Sequence, residues 1–128
     1  MAEILLDSDV IIAWLRGHEP VASVIPGLLQ AGDVLAWTPV SVAEIFAGVR
    51  KSEQTQVENL FLVLEPLALS VETGRRGGRY VQAYSRSHGV EVADALIAAA
   101  ASVNELPLWT LNRRHFPMRD VRFFSPGT

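Results

Sequence analysis

The sequence predicts an α/β fold, a single domain over residues 1–128 with a central parallel sheet of four to five strands flanked by helices. Three observations carry this expectation. Short apolar runs without two-residue alternation, such as Ile4-Leu-Leu6, suit strands buried on both faces. Segments with helical spacing of apolar residues separate these runs, and such alternation implies parallel strands joined by right-handed crossovers. Polar residues stand directly after several runs, at the strand ends where open α/β sheets place their ligands.

Bulk properties narrow the function classes. A chain of 128 residues can bury one core but not two, and 49% hydrophobic with 20% charged residues is an ordinary soluble composition. The absence of cysteine excludes disulfides, zinc–thiolate sites and thiol nucleophiles. No apolar run approaches the ~20 residues needed to cross a bilayer. The N-terminus lacks the basic and apolar regions of a secretion signal, so a cytoplasmic protein with no membrane partner is expected. A net charge of -3 argues against nucleic acid on its face. Against that, all the basic residues but Lys51 are arginines, which favour bidentate phosphate contacts.

Taken in order, Ile4-Leu-Leu6 is the first strand. It ends in Asp7-Ser8-Asp9, and Val10–Leu15 reads as a helix, so Asp7 falls in a strand-to-helix crevice. Ser8 or Asp9 is the candidate cap of that helix, while Asp7, still on the strand side, is a candidate functional acid. Gly17-His18-Glu19-Pro20 is a break with a solvated histidine. Val21–Ala31 has helical spacing, with Pro26 either kinking the helix or opening its main body. Val34–Thr38 is a second strand, stopped by Pro39. Ser41 and Glu44 have the spacing of a capping box for a helix running on to Val49. Glu44 also follows the second strand much as Asp7 follows the first, which brings two acids to one sheet edge.

Glu53–Leu64 is amphipathic, with Val57, Leu60, Phe61 and Leu64 as its apolar stripe, and Pro66–Leu69 is a brief third strand. Glu72–His88 is a basic helix weakened by Gly77-Gly78, at about 1 kcal/mol per glycine relative to alanine, and Gly89 is a C-terminal cap. Val90–Ser102 is small and apolar, hence closely packed and buried, with Asp94 in its first turn. A favourable helix-dipole interaction is one reading of Asp94. The other is functional, because a desolvated, unpaired carboxylate among Ala93, Ala95, Leu96 and Ile97 is costly. Leu108–Leu111 is a fourth strand followed by polar Asn112-Arg-Arg-His115, Val121–Phe124 is a last short strand, and Ser125–Thr128 is tail.

Gathered at one sheet edge, Asp7, Glu44 and Asp94 repel. At about 5 Å and an effective dielectric near 20, each pair costs on the order of 3 kcal/mol. A proton or a cation must relieve the set. Oxygen ligands without histidine or cysteine select Mg²⁺ or Mn²⁺ over zinc, and Mg²⁺ bridges readily to phosphates. Such a site activates water and stabilises charge on a phosphodiester.

Four segments in this order resemble the PIN-domain family, and more closely the VapC toxins of bacterial toxin–antitoxin pairs. They are Ile4–Ile12, Thr38–Gly48, Val92–Ala101 and Leu108–Pro117, whose acids fall on Asp7, Glu44 and Asp94. Many members carry a further acid where Asn112 or His115 stands; this chain lacks it at both places. The resemblance implies an Mg²⁺-dependent (or Mn²⁺-dependent) endoribonuclease that arrests translation by cutting RNA, with tRNA or rRNA the expected substrate. It also implies a homodimer silenced by a cognate antitoxin. In that reading Asp7 and Asp94 hold the metal, Glu44 orients or deprotonates water, and Asn112 and Thr110 support them. Arg75, Arg76, Arg79, Arg113 and Arg114 are candidate RNA contacts or plain surface arginines. His115 is a phosphate or proton-transfer group, or a turn residue packed on Phe116. Trp14 and Phe46 are antitoxin contacts or core.

Two other classes compete. Asp7-Ser8-Asp9 after a strand also fits an aspartyl-nucleophile phosphatase. That chemistry wants Gly-Thr and a partner lysine, where Val10-Ile11 and a lone Lys51 stand. A catalytically weak module that binds RNA or antitoxin is the other.

Overall fold

The computed structural model describes residues 1–126, so the predicted tail over Ser125–Thr128 lies outside the described residues from Gly127 onward. The chain forms β1 (Glu3–Leu6), α1 (Ser8–Leu15), α2 (Val21–Gln30), β2 (Val34–Trp37), α3 (Pro39–Gly48) and α4 (Gln54–Val63). It continues through β3 (Glu65–Pro66), α5 (Val71–His88), α6 (Val92–Val103) and β4 (Leu108–Trp109), with 3-10 turns at Lys51–Glu53 and Arg113–His115. The four strands are parallel in the order β3-β2-β1-β4. The chain steps outward from β1 to β3 and then returns past β1 to add β4. Strand order therefore reverses beside β1, and a crevice opens there at the carboxyl ends of the strands.

Both faces of the sheet are covered, which explains the unbroken apolar character of β1. Ile4 and Leu6 point into a core shared with α1, α2 and α4, together with Leu35 and Trp37 of β2. Leu5 and Ala36 point the other way, into a core built with Ala95, Ile97 and Ala98–Ala101 of α6. All three β1 side chains are fully buried, each contributing roughly 1.5–3 kcal/mol relative to exposure.

The helix predicted over Glu72–His88 runs unbroken through its glycine pair. Ser70 caps it at the N-terminus, and Gly89 takes the left-handed conformation (φ 64°) at its end. Gly77 is buried where α5 crosses α6: a Cβ there would meet Leu96 Cδ2 at 3.0 Å and the Ala95 carbonyl oxygen at 3.5 Å. Gly78 is exposed, with nothing within 4 Å of such a Cβ. Gly78→Ala is therefore expected to stabilise the fold by about 1 kcal/mol. It should raise the urea midpoint at unchanged m-value, and Gly77→Ala should gain less because Leu96 must move.

Several elements are shorter than their apolar runs suggest. The third strand stops at Pro66 on the sheet edge, after which Leu67 N–H still bonds the Trp37 carbonyl (2.9 Å). The fourth stops at Trp109 because Thr110 and Leu111 turn toward α1. The last reduces to one bridge, Leu108 to Phe123. Phe61, predicted as part of the α4 stripe, is 51% exposed, while Val57 and Leu60 are buried.

Candidate active site

The carboxyl ends of β1 and β4 bracket the crevice. Asp7 caps α1 itself, accepting Ser8 N–H at Oδ1 (2.8 Å). The capping role expected of Ser8 or Asp9 thus falls to the residue assigned to chemistry, because the strand ends one residue sooner than the helix needs a cap. At its second oxygen Asp7 accepts the Thr110 hydroxyl (2.8 Å). Thr110 accepts in turn from Asn112 N–H (3.1 Å).

The predicted Ser41–Glu44 capping box does not form. Thr38 caps α3 by accepting Ser41 N–H (3.3 Å), since the helix starts earlier, at Pro39. The Ser41 hydroxyl is fully buried with no partner among the described residues. Glu44 is released to accept the Ser8 hydroxyl at Oε1 (2.6 Å). The start of α1 is thereby tied to α3 through the Ser8 hydroxyl.

A cavity of about 330 Å³ is lined by Asp7, Ser8, Asp9, Ile12, Glu44, Asp94, Asn112 and His115. The three acids singled out from the sequence therefore share one opening, together with Asn112. A larger apolar groove lies elsewhere, between α3, α4 and β3, around Trp37, Phe61 and Leu67; it holds no acid and is not the chemical site.

Burial sets the electrostatics. It pushes the Asp7 carboxyl up to about 7, helped by repulsion from Asp9 and opposed by the Thr110 and Ser8 hydrogen bonds. Burial also raises Asp9, against the Leu111 and Val10 N–H groups that favour its ionised form. Asp94 is raised by burial as well; His115, 3.5 Å away, pulls it down, while Glu44 pushes it up. Desolvation and like charges together make the ionised set expensive.

This donor set fits a hard dication. Four carboxylates and an amide face one opening, with no thiolate and a single imidazole. Among the described residues, no three acid or imidazole side chains close on one point. A dication there would therefore be held directly by no more than one or two of these carboxylates and would keep its waters.

The sequence assigned two participants to other work. Ser8 and Asp9 were read as caps, yet one holds Glu44 and the other lines the cavity. Their signal was available: the first residues of a helix that follows a strand open on the same crevice as the strand's last residue. His115 sits beside Asp94, with its Nε2 3.2 Å from the Asn112 amide nitrogen, whereas Phe116 is buried in the core.

The arginines lie differently from the acids. Arg76 bonds Ser102 (3.2 Å) and approaches Asp120 (3.7 Å), about 12 Å of helix rise beyond Asp94. Arg75 pairs with Glu72 (3.9 Å). Arg113 bonds the Ser125 hydroxyl (2.6 Å) and stacks over Phe123 (4.8 Å), holding the C-terminal segment. Arg79 and Arg114 do not line the cavity. Trp14 lines a shallow cleft between α1 and α4, and Phe46 is 39% exposed beside Phe61.

A parallel sheet with acids converging at its switch point is the architecture of a PIN domain. The family model described as PIN domain matches residues 4–122, and the chain belongs to that family. Within it the chain stands with the VapC proteins. It is 36% identical over 115 residues to Ribonuclease VapC19 of Mycobacterium tuberculosis, covering 89% of this chain and 92% of that protein. It is 40% identical over 116 residues to Ribonuclease VapC10 of the same organism, covering 90% and 86%. The fold also superposes on VapBC2 from Rickettsia felis bound to promoter DNA (TM-score 0.79, 17% identity, 95% and 97% coverage). DNA-bound VapBC from Salmonella typhimurium gives a TM-score of 0.77 at 21% identity, with 97% and 98% coverage. Family membership sets the phosphatase reading aside.

Proposed function

We propose that this chain is a VapC ribonuclease toxin, an Mg²⁺-dependent endoribonuclease that cuts tRNA or rRNA in the cytoplasm and so inhibits translation. The carrying observation is the convergence of Asp7, Glu44 and Asp94 on one cavity whose most buried acid resists ionisation. The names of the relatives support the choice of RNA. When bound, Mg²⁺ would polarise the phosphodiester and make water more acidic. Asp7 and Asp94 would hold it. Glu44, fixed by Ser8, takes the proton as water attacks phosphorus and the bond to the leaving sugar oxygen breaks. Thr110 and Asn112 keep Asp7 and the β4 end in place. Arg79, Arg113 and Arg114 are proposed backbone contacts for RNA outside the cavity.

We also propose a cognate VapB-like antitoxin that covers the cavity and docks its apolar side chains near Trp14 and Phe46. The superposed toxin–antitoxin complexes support such a partner, and the active unit is proposed as a homodimer. Induced expression without antitoxin, followed by sequencing of RNA ends, tests the function. New ends at defined sites are expected for the parent and none for Asp94→Asn. Growth arrest that persists undiminished in Asp94→Asn would favour a binding module instead.

A further inference from the structure

We propose that Asp9 supplies a supporting carboxylate to the cation site, beyond the one or two that would hold the ion directly, delivering from α1 the charge that Asn112 lacks at the end of β4. This rests on the metal-dependent reading of the cavity given above and assigns a residue that reading leaves idle.

The placement is specific. Asp9 lines the cavity with Asp7, Glu44 and Asp94. An acid in a helix's first turn gains from the dipole without leaving solvent, yet Asp9 turns across the crevice to β4. Its Oδ2 accepts Leu111 N–H at 3.1 Å, and the Thr110 hydroxyl stands 3.4 Å from it. The carboxylate thus sits against the residue before Asn112, where the neutral amide leaves the β4 end uncharged. Asn112 turns its own side chain to His115 instead. The same Thr110 hydroxyl donates to Asp7 at 2.8 Å, so Asp7 and Asp9 are registered to each other through one side chain. A carboxylate has about four lone-pair sites, and one N–H and a distant hydroxyl leave capacity facing the cavity.

A purely structural role is the rival, with Asp9 as a strut joining α1 to β4. Asp9→Asn separates the two, since it keeps an acceptor for Leu111 N–H and removes only the charge. The measurement is Mn²⁺ binding to the purified full chain, read by electron paramagnetic resonance of free Mn²⁺, with melting curves confirming the fold. Asp9→Asn is expected to weaken Mn²⁺ binding roughly 10- to 100-fold, the range for losing a supporting group at a metal site. Adding Asn112→Asp to that variant should restore most of the affinity, and Asn112→Asp alone should add less to the parent. Unchanged affinity in Asp9→Asn, with Asp7→Asn losing its binding, would overturn the proposal and leave Asp9 a strut. Unchanged affinity in Asp7→Asn would overturn the metal site itself.

Discussion

Asp7→Asn is expected to lose RNA cleavage by about three orders of magnitude, equivalent to roughly 4 kcal/mol of transition-state stabilisation, while the metal-free protein becomes more stable at pH 7.5. The two effects have one cause. Asp7 is only 8% exposed, and burial holds its carboxyl near 7. Ionisation at pH 7.5 therefore costs folding free energy that a neutral isostere avoids. Asparagine caps helices as well as aspartate does, so the bond from Ser8 N–H survives. Its amide can donate to the Thr110 oxygen, and the Thr110 proton is free to turn to Asp9, 3.4 Å away. A gain of about 2 kcal/mol, or roughly 8 °C in Tm for a domain of this size, is expected. Thermal melts in chelator and a cleavage assay in Mg²⁺ check both halves. A destabilised variant that still cuts RNA would contradict the role and the electrostatics together.

Stability of the metal-free parent should fall as pH rises from 4 to 8. The folded pKa of Asp7 lies above its unfolded value of 3.8, so between 3.8 and about 7 the folded chain holds a proton that the unfolded chain releases. Stability then declines across that window and levels off above it. At 1.4 kcal/mol per unit, the full loss from Asp7 is on the order of 4 kcal/mol. Asp9 and Asp94, both raised by burial, act in the same direction. Divalent cations bind the ionised carboxylates, so Mg²⁺ should raise Tm strongly at pH 8 and little at pH 5. Urea titrations at four pH values, with chelator and with Mg²⁺, measure both trends. The difference between the parent and Asp7→Asn isolates the Asp7 share. Metal-free stability that climbs from pH 5 to pH 8 would refute the assignment.

Much of the fold was legible because local chemistry and tertiary placement agree. The unalternating Ile4-Leu-Leu6 announced a strand covered on both faces, and the alanines after Asp94 announced a helix that packs closely. Where the two disagreed, packing won. The glycine pair weakens α5 by local propensity, but Gly77 is what lets α5 close on α6, where a Cβ would meet Leu96 Cδ2 at 3.0 Å. The Ser41–Glu44 spacing matched a capping box, but Pro39 fits the first helical position and moved the start, so Thr38 became the cap. Short edge strands were overextended for a related reason: Leu67 and Leu69 beyond Pro66 pack against the core outside the strand, and Leu111 beyond Trp109 is exposed.

The sequence by itself determined the layer order, the parallel sheet and three acids placed just after strands or at a helix start, because hydrophobic period and cap chemistry are local properties. Only the tertiary structure decided which oxygens share a cavity. That depends on strand order, and β4 lies beside β1 with Asp7 and Thr110 103 positions apart in the chain. No local pattern encodes that contact, so the bond from Leu111 to Asp9, and the burial that raises the Asp7 carboxyl, emerge only once both strand ends stand side by side.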